Sequence, residues 1–295
     1  MIAYNHYIKF IPELENDKKV EGSFDDVVTV RESSLENLPK DLTYEITFFN
    51  NQGRDLTHYS DREFARTEKD QLWAFEVKGV VTFIWYSGTL NIEYIPHENF
   101  TDELLEYWCL HLMLPVFFTI EGKYDFLHAG AVEVAGKPIL FMANSFGGKS
   151  TMTDFFLKQG HTLVSDDKVG IFSKQGNFFL VPSHPHHRPY RDRETLGYFF
   201  KNILNEPKKI HIIYELERTE ADALIEITEL NGIEKFKSLR FGSEINLYFL
   251  KDKRFIFLTD MAKKIPVFKV MVPWNIDRLE EVHNMICSHT ENFNK

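Results

Sequence analysis

Lys149 and Ser150 follow two glycines in the run Ala143-Asn144-Ser145-Phe146-Gly147-Gly148-Lys149-Ser150-Thr151. A loop of this make-up ahead of a helix turns successive backbone N–H groups toward one point, and that point attracts an anion. Gly147 and Gly148 let the backbone curl tightly around phosphate. Lys149 brings a point charge to the β- and γ-phosphates, and the Ser150 hydroxyl brings an oxygen ligand for Mg2+. The expected ligand is a nucleoside triphosphate with its magnesium, bound along Asn144, Ser145, Phe146, Gly147, Gly148, Lys149, Ser150 and Thr151. The run follows the GxxxxGK[ST] pattern except at its first position, where Ala143 stands. Asp166-Asp167 adds two carboxylates. One suits a metal, directly or through water, and the other suits the proton of an attacking hydroxyl. Alone, an Asp-Asp pair reads as a solvated turn; behind a phosphate loop at this spacing it reads as chemistry.

These groups need elements to hold them. Residues 138–142 are a short apolar run, expected as a buried strand, and residues 152–158 have the pattern of an amphipathic helix. Strand, glycine loop and helix is the context such a loop requires. Gly160 suits the helix C-cap, and Leu163-Val164 opens a second buried strand. Its C-terminal end would deliver Asp166 and Asp167 beside the loop in a parallel α/β sheet. Upstream, Val27-Val28-Thr29-Val30, Tyr44-Glu45-Ile46-Thr47-Phe48-Phe49 and Val80-Val81-Thr82-Phe83-Ile84-Trp85-Tyr86 are β-like runs separated by turn formers. Ser87-Gly88 suggests a hairpin, and residues 1–100 are expected as a mostly antiparallel sheet. A helix should start at Thr101-Asp102-Glu103 and run to about Phe118, bent near Pro115. Residues 277–287 read as a C-terminal amphipathic helix.

A chain of 295 residues that is 43% hydrophobic can bury a sizeable core, and its 27 Phe suggest what fills it. The net charge of −10 argues against holding nucleic acid by its backbone. Two distant cysteines, Cys109 and Cys287, argue against a disulfide framework and a cysteine zinc site, and fit a reducing compartment. The N-terminus shows no signal-peptide pattern. The longest apolar stretch, residues 107–120, falls short of the roughly 20 residues a bilayer takes, so it reads as a buried helix. A cytoplasmic protein without a membrane partner is expected.

Gly148-Lys149-Ser150, Gln159-Gly160-His161 and Ser165-Asp166-Asp167 together resemble the catalytic domain of bacterial HPr kinase/phosphorylase. That family has a phosphate loop, a Gly-His pair and an Asp-Asp pair in this order and at this spacing. Its active-site histidine precedes the loop at the position held here by His128, which alone would read as a packed side chain. The resemblance implies that Asp167 is the general base, that His128 assists it, and that Ser150 and Asp166 serve the magnesium. It is similar in more detail to a diverged branch found beside peptide-modification genes, some members of which look like kinases of lasso-peptide precursors. The motif-dense part spans about residues 126–200.

This chain departs from the family where glycines are replaced by Ala143 and Phe146, and it lacks the Glu-x-Arg-Gly motif. A gap-free count places Asp192 there, as a second metal ligand. The implied fold is α/β: a β-rich N-terminal domain over residues 1–120, then a phosphoenolpyruvate-carboxykinase-like P-loop kinase domain over residues 121–295. The implied activity is ATP- and Mg2+-dependent phosphorylation of a hydroxyl, serine of a protein or peptide. A catalytically silent nucleotide-binding module and a small-metabolite kinase are the alternatives. The acceptor, ATP against GTP, and the oligomeric state stay open. His184-Pro185-His186-His187-Arg188 reads as a loop lining the phosphate site in preference to a metal site, and Pro207-Lys208-Lys209 as a solvated turn.

Overall fold

The computed structural model describes residues 1–14, 24–51, 53–64, 68–144, 146–189 and 193–293; Ser145 and Asp192, both expected at the site, lie outside them. The chain is a mixed α/β protein with several sheets. The first sheet is built from β1 (Ile2–Ala3), β2 (His6–Ile11), β3 (Val27–Glu32), β4 (Tyr44–Asn51), β5 (Arg54–Ser60), β6 (Leu72–Val77), β7 (Val81–Tyr86) and β8 (Asn91–Pro96). Their order is β1-β2-β3-β8-β7-β6-β5-β4. Pairing is antiparallel except that β3 runs parallel to both β2 and β8. Ser87 and Gly88 fall in the turn of the β7–β8 hairpin, with Gly88 at φ 84°. Strands β6 and β7 are buried along almost their whole length, because the sheet is covered on both faces. On one face Trp85 meets Phe117 edge-on at 5.7 Å; on the other Leu72, Ala74, Ile84 and Ile95 form a second apolar layer.

Helix α1 (Asp102–Trp108) starts at Thr101, whose hydroxyl accepts from the Leu104 N–H, and carries Asp102 and Glu103 in its first turn. It widens into a π turn over Cys109–Met113 and continues as α2 (Leu114–Ile120). The expected disturbance at Pro115 is displaced one turn toward the N-terminus. Pro115 has no N–H and its ring crowds the carbonyl four residues back, so the backbone opens and the Leu114 N–H reaches the Cys109 carbonyl. The segment Asp102–Ile120 is long and apolar enough to cross a membrane, but 83% of its most apolar 18-residue window is buried inside the protein, as suits a core helix.

The remaining strands are β9 (Asp125–His128), β10 (Gly130–Val134), β11 (Lys137–Ala143), β12 (Thr162–Ser165), β13 (Lys168–Lys174), β14 (Asn177–Val181), β15 (His186–His187), β16 (Tyr198–Phe199), β17 (Lys208–Lys209), β18 (Ile212–Thr219), β19 (Ile227–Glu229) and β20 (Val267–Pro273). The helices among them are α3 (Lys149–Lys158), α4 (Gly232–Phe241), α5 (Lys251–Lys264) and α6 (Leu279–Asn292). The main sheet has the order β12-β10-β11-β18-β20-β19, and a smaller one the order β17-β14-β13-β9.

The sequence suggested a parallel sheet around the loop, and the structure shows a mixed one. β11, β18 and β20 are parallel, but antiparallel β10 stands between β11 and β12. Since β11 and β12 each oppose β10, they point the same way and release the chain at the same edge. The apolar run of β11 divides by period two. Ile139 and Phe141 face α3 and α6, while Leu140 and Met142 face β13, α4 and α5. The core built on the first sheet extends past residue 120 to Tyr124, Phe126, Val181, Ile245 and Leu247. Lys208 and Lys209 form a short strand beside β14, with Lys208 paired to Glu133, where a turn was expected.

Candidate active site

The loop after β11 turns tightly: the Gly147 N–H donates to the Asn144 carbonyl at 2.8 Å. A Cβ at Gly147 would stand 2.9 Å from both the Ala143 Cβ and the Asn144 carbonyl oxygen, so only glycine fits. Phe146 sits at φ 64°, in the left-handed region. Holding an L side chain there costs roughly 1–2 kcal/mol, a cost that a glycine at this position avoids. Gly148, at φ 90°, caps α3, and its carbonyl accepts from the Met152 N–H at 2.8 Å. Lys149 opens the helix and is buried, while Ser150 and Thr151 follow on its first turn. The helix is anchored from below by Met152, Phe156 and Leu157. The free N–H groups of its first turn face the loop, which is the arrangement that attracts an anion.

Asp167 is placed by strand register. β12 ends at Ser165, and the chain reverses through Asp167, at φ 70°, into β13. The β13–β9 ladder then pairs Lys168 with His128, and the Ala129 N–H donates to the Asp167 carbonyl at 3.2 Å. Asp167 Oδ1 lies 3.1 Å from Lys149 Nζ and 3.2 Å from His128 Nδ1. Asp167 Oδ2 lies 3.4 Å from His111 Nε2 and 3.8 Å from an Arg188 guanidinium nitrogen. Behind this cluster Glu244 bonds Lys168 at 2.5 Å and approaches His128 Nδ1 at 3.6 Å. Burial by itself raises the Asp167 carboxyl, but Lys149, Lys168 and the imidazoles of His111 and His128 together hold it well below the usual carboxylate range. Burial and the Lys149 charge push His128 down, against the pull of Asp167 and Glu244. Lys168 is lowered by burial and raised by more through Glu244 and Asp167.

Asp166 points elsewhere. Its Oδ2 accepts from the Arg188 N–H at 2.8 Å and lies 3.1 Å from His187 Nδ1. Burial raises it, and His187 and Lys149 bring it below its ordinary value. Asp166 thereby ties the His187-Arg188 segment to the end of β12, and Arg188 reaches across to Asp167 and to the Tyr107 hydroxyl at 3.2 Å.

Among the described residues, then, His128, Lys149 and Asp167 meet at one point. Asp166 stands behind them, and Ser150 lies one residue along α3 from Lys149. Ser150 and the two aspartates offer oxygen donors of the kind Mg2+ takes, with Asp166 Oδ2 already engaged by His187 and the Arg188 N–H. Four residues escaped the sequence reading. His111 lies inside the stretch 107–120 that reads as a buried apolar helix. Glu244 comes from the chain after α4, where it pairs back to β9 through the Glu244 N–H and the Phe126 carbonyl at 3.0 Å. Arg218 and Trp274 lie at the C-terminal ends of β18 and β20, the edge where β11 also ends. The Arg218 guanidinium carbon is 3.4 Å from the centroid of the half-exposed Trp274 ring. A Cβ on Gly148 would stand 3.7 Å from that ring, so Trp274 borders the loop.

No family model matches the chain, and no curated protein matches it. Among solved structures, the chain is similar to the HPr(Ser) kinase/phosphatase from Coxiella burnetii, with 11% identity and a TM-score of 0.35 over 56% of this chain and 95% of that one. The likeness is distant and carries no functional conclusion. The side chains gathered on Asp167 have to carry it.

Proposed function

We propose that the chain is a kinase that transfers a phosphoryl group from a nucleoside triphosphate to a hydroxyl, with ATP as donor and serine of a protein or peptide as acceptor. One observation carries the reading: a buried lysine at the start of a glycine-loop helix and a histidine share one oxygen of a carboxylate, Asp167, at 3.1 and 3.2 Å. A solvated Asp-Asp turn has no reason to gather such partners.

The loop N–H groups and Lys149 bind and orient the phosphates. Phosphate oxygens compete with Asp167 for Lys149, and Lys149 is the largest of the influences holding the Asp167 carboxyl down. Nucleotide binding therefore raises the basicity of Asp167 at the moment an acceptor is needed. Asp167 then takes the proton of the acceptor hydroxyl, with His128 and His111 beside its two oxygens. Ser150 and Asp166 are the residues that would hold Mg2+, which supplies charge neutralisation on the phosphates when bound. Arg188 lines an open groove of ≈ 380 Å³ beside α1 that offers an acceptor a way in.

The test uses γ-labelled ATP with wild type and two variants, following labelled protein, peptide and small molecules separately. Lys149→Ala should lose Mg·ATP binding in a folded protein. Asp167→Asn should bind nucleotide within a few-fold of wild type and transfer roughly 10²-fold or more slowly. A wild type that binds ATP and labels nothing would leave the silent module as the better reading. Label confined to small molecules would move the acceptor class to a metabolite.

A further inference from the structure

At the far end of α3, about 15 Å from the glycine loop by helical rise, three side chains from distant parts of the chain converge. His161 follows α3, and His283 and Cys287 stand one turn apart on α6. His161 Nε2 lies 2.9 Å from His283 Nε2. The Cys287 sulfur lies 3.8 Å from His161 Nε2 and 3.5 Å from His283 Nε2. All three residues are partly exposed, so an ion has a way in.

The triangle has the dimensions of a metal site. A tetrahedral zinc ion with Zn–N of about 2.05 Å and Zn–S of about 2.3 Å sets its ligands about 3.3 Å apart for N···N and about 3.6 Å for N···S. The observed edges differ from these by only a few tenths of an ångström. A hydrogen bond between the imidazoles would account for the short edge alone; it would not place a sulfur against both nitrogens. The rings are also held as ligands usually are. The Glu133 backbone acts on His161 from its other side, and His283 Nδ1 lies 3.1 Å from the Asn284 side-chain oxygen. Phe156 packs on both imidazoles, with centroids 5.1 Å from His161 and 4.6 Å from His283. The Glu291 carboxylate lies close enough to act on both His161 and Cys287, adding negative charge beside the three donors.

We propose that His161, His283 and Cys287 form a three-ligand site for a zinc-like divalent cation, with water or another group in the fourth position, that fastens α6 to the end of α3. Two nitrogens and a sulfur select a borderline-soft cation, unlike the oxygen donors at Asp166 and Ser150. Binding replaces the Cys287 thiol proton, which passes to solvent, and leaves the thiolate on the metal. The site stands or falls independently of the kinase reading.

The test takes full-length protein freed of metal with a chelator and titrates it with Co2+, then Zn2+. One equivalent of Co2+ should give tetrahedral d–d bands and a thiolate-to-cobalt charge-transfer band, which Zn2+ then bleaches. Cys287→Ser should lose the charge-transfer band, and His283→Ala should weaken metal affinity at least about tenfold. Stoichiometric Zn2+ should raise the Tm of wild type by several degrees and leave both variants where they were. Far-UV circular dichroism of the metal-free variants confirms that they are folded. If one of them is not, His161→Gln takes its place. The absence of a charge-transfer band at micromolar metal overturns the proposal. So does a band that survives Cys287→Ser, since the remaining thiol, Cys109, is fully buried elsewhere.

Discussion

Lys168 follows Asp167 directly in the chain, and Glu244 holds it in place. The Lys168 side chain is 5% exposed and that of Glu244 is 28% exposed, so their contact at 2.5 Å is largely shielded from water. Lys168 also lowers the Asp167 carboxyl directly. Removing one partner of such a pair leaves the other buried without its counter-charge. Lys168→Met should therefore lower stability by about 2–4 kcal/mol, somewhat less than for a fully buried pair because Glu244 keeps some contact with solvent. Lys168→Met with Glu244→Gln should recover much of that loss. Urea unfolding of the single and double variants checks it, and a double variant no more stable than the single would show that the pairing is unimportant. The Asp167 carboxyl should also sit higher in the Lys168→Met single variant, because a positive charge has been removed from beside it while the Glu244 carboxylate remains. Its acid limb in a rate profile would then move to higher pH. The glycines and Lys149 of the loop were legible at this scale, because a phosphate cradle is a local device. The pairing of Lys168 with Glu244 was not, because 76 residues separate them.

At the scale of elements, the helix from Asp102 to Ile120 does more than cover the first sheet. Its π turn carries His111 to Asp167 Oδ2, and the His111 ring stacks on Tyr107 at 5.0 Å. Burial and the Lys168 charge push His111 well down, and its Nε2 stands 3.4 Å from Asp167 Oδ2, beside the carboxylate. His111→Leu should leave nucleotide affinity unchanged and slow transfer by about tenfold, as for loss of an orienting group. A His111→Gln variant, which keeps a donor, should recover part of the rate. Equal rates for wild type and His111→Leu would remove the helix from the site. The sequence placed this helix correctly as buried, but nothing in it pointed to His111 as a neighbour of Asp167. A strict α-helical repeat would not have shown where that side chain lands, because the π turn shifts the phase ahead of Pro115.

For the whole molecule, the core on the first sheet reaches across the boundary at residue 120 to Phe126, Val181, Ile245 and Leu247. Trp73, Trp85 and Trp108 report on that core, and they are three of the 4 tryptophans. Shared packing couples the two parts, so tryptophan fluorescence and far-UV circular dichroism should follow one coincident denaturant transition. Two separated transitions would show that residues 1–120 fold as an independent unit.

By itself the sequence determined the strand–loop–helix around Lys149, the β-rich beginning, the buried connecting helix and the arrival of Asp166 and Asp167 at a strand end. Each of these follows from short-range rules: apolar periodicity, turn formers, and the backbone freedom of glycine. Tertiary structure decided the rest. The register of β13 on β9 put His128 against Asp167, and antiparallel β10 entered between β11 and β12. Helix α6 came to rest where His283 and Cys287 meet His161. Those outcomes depend on which surfaces pair across scores of residues, and the sheet ladders and packed faces that select the pairing exist only once the chain has folded.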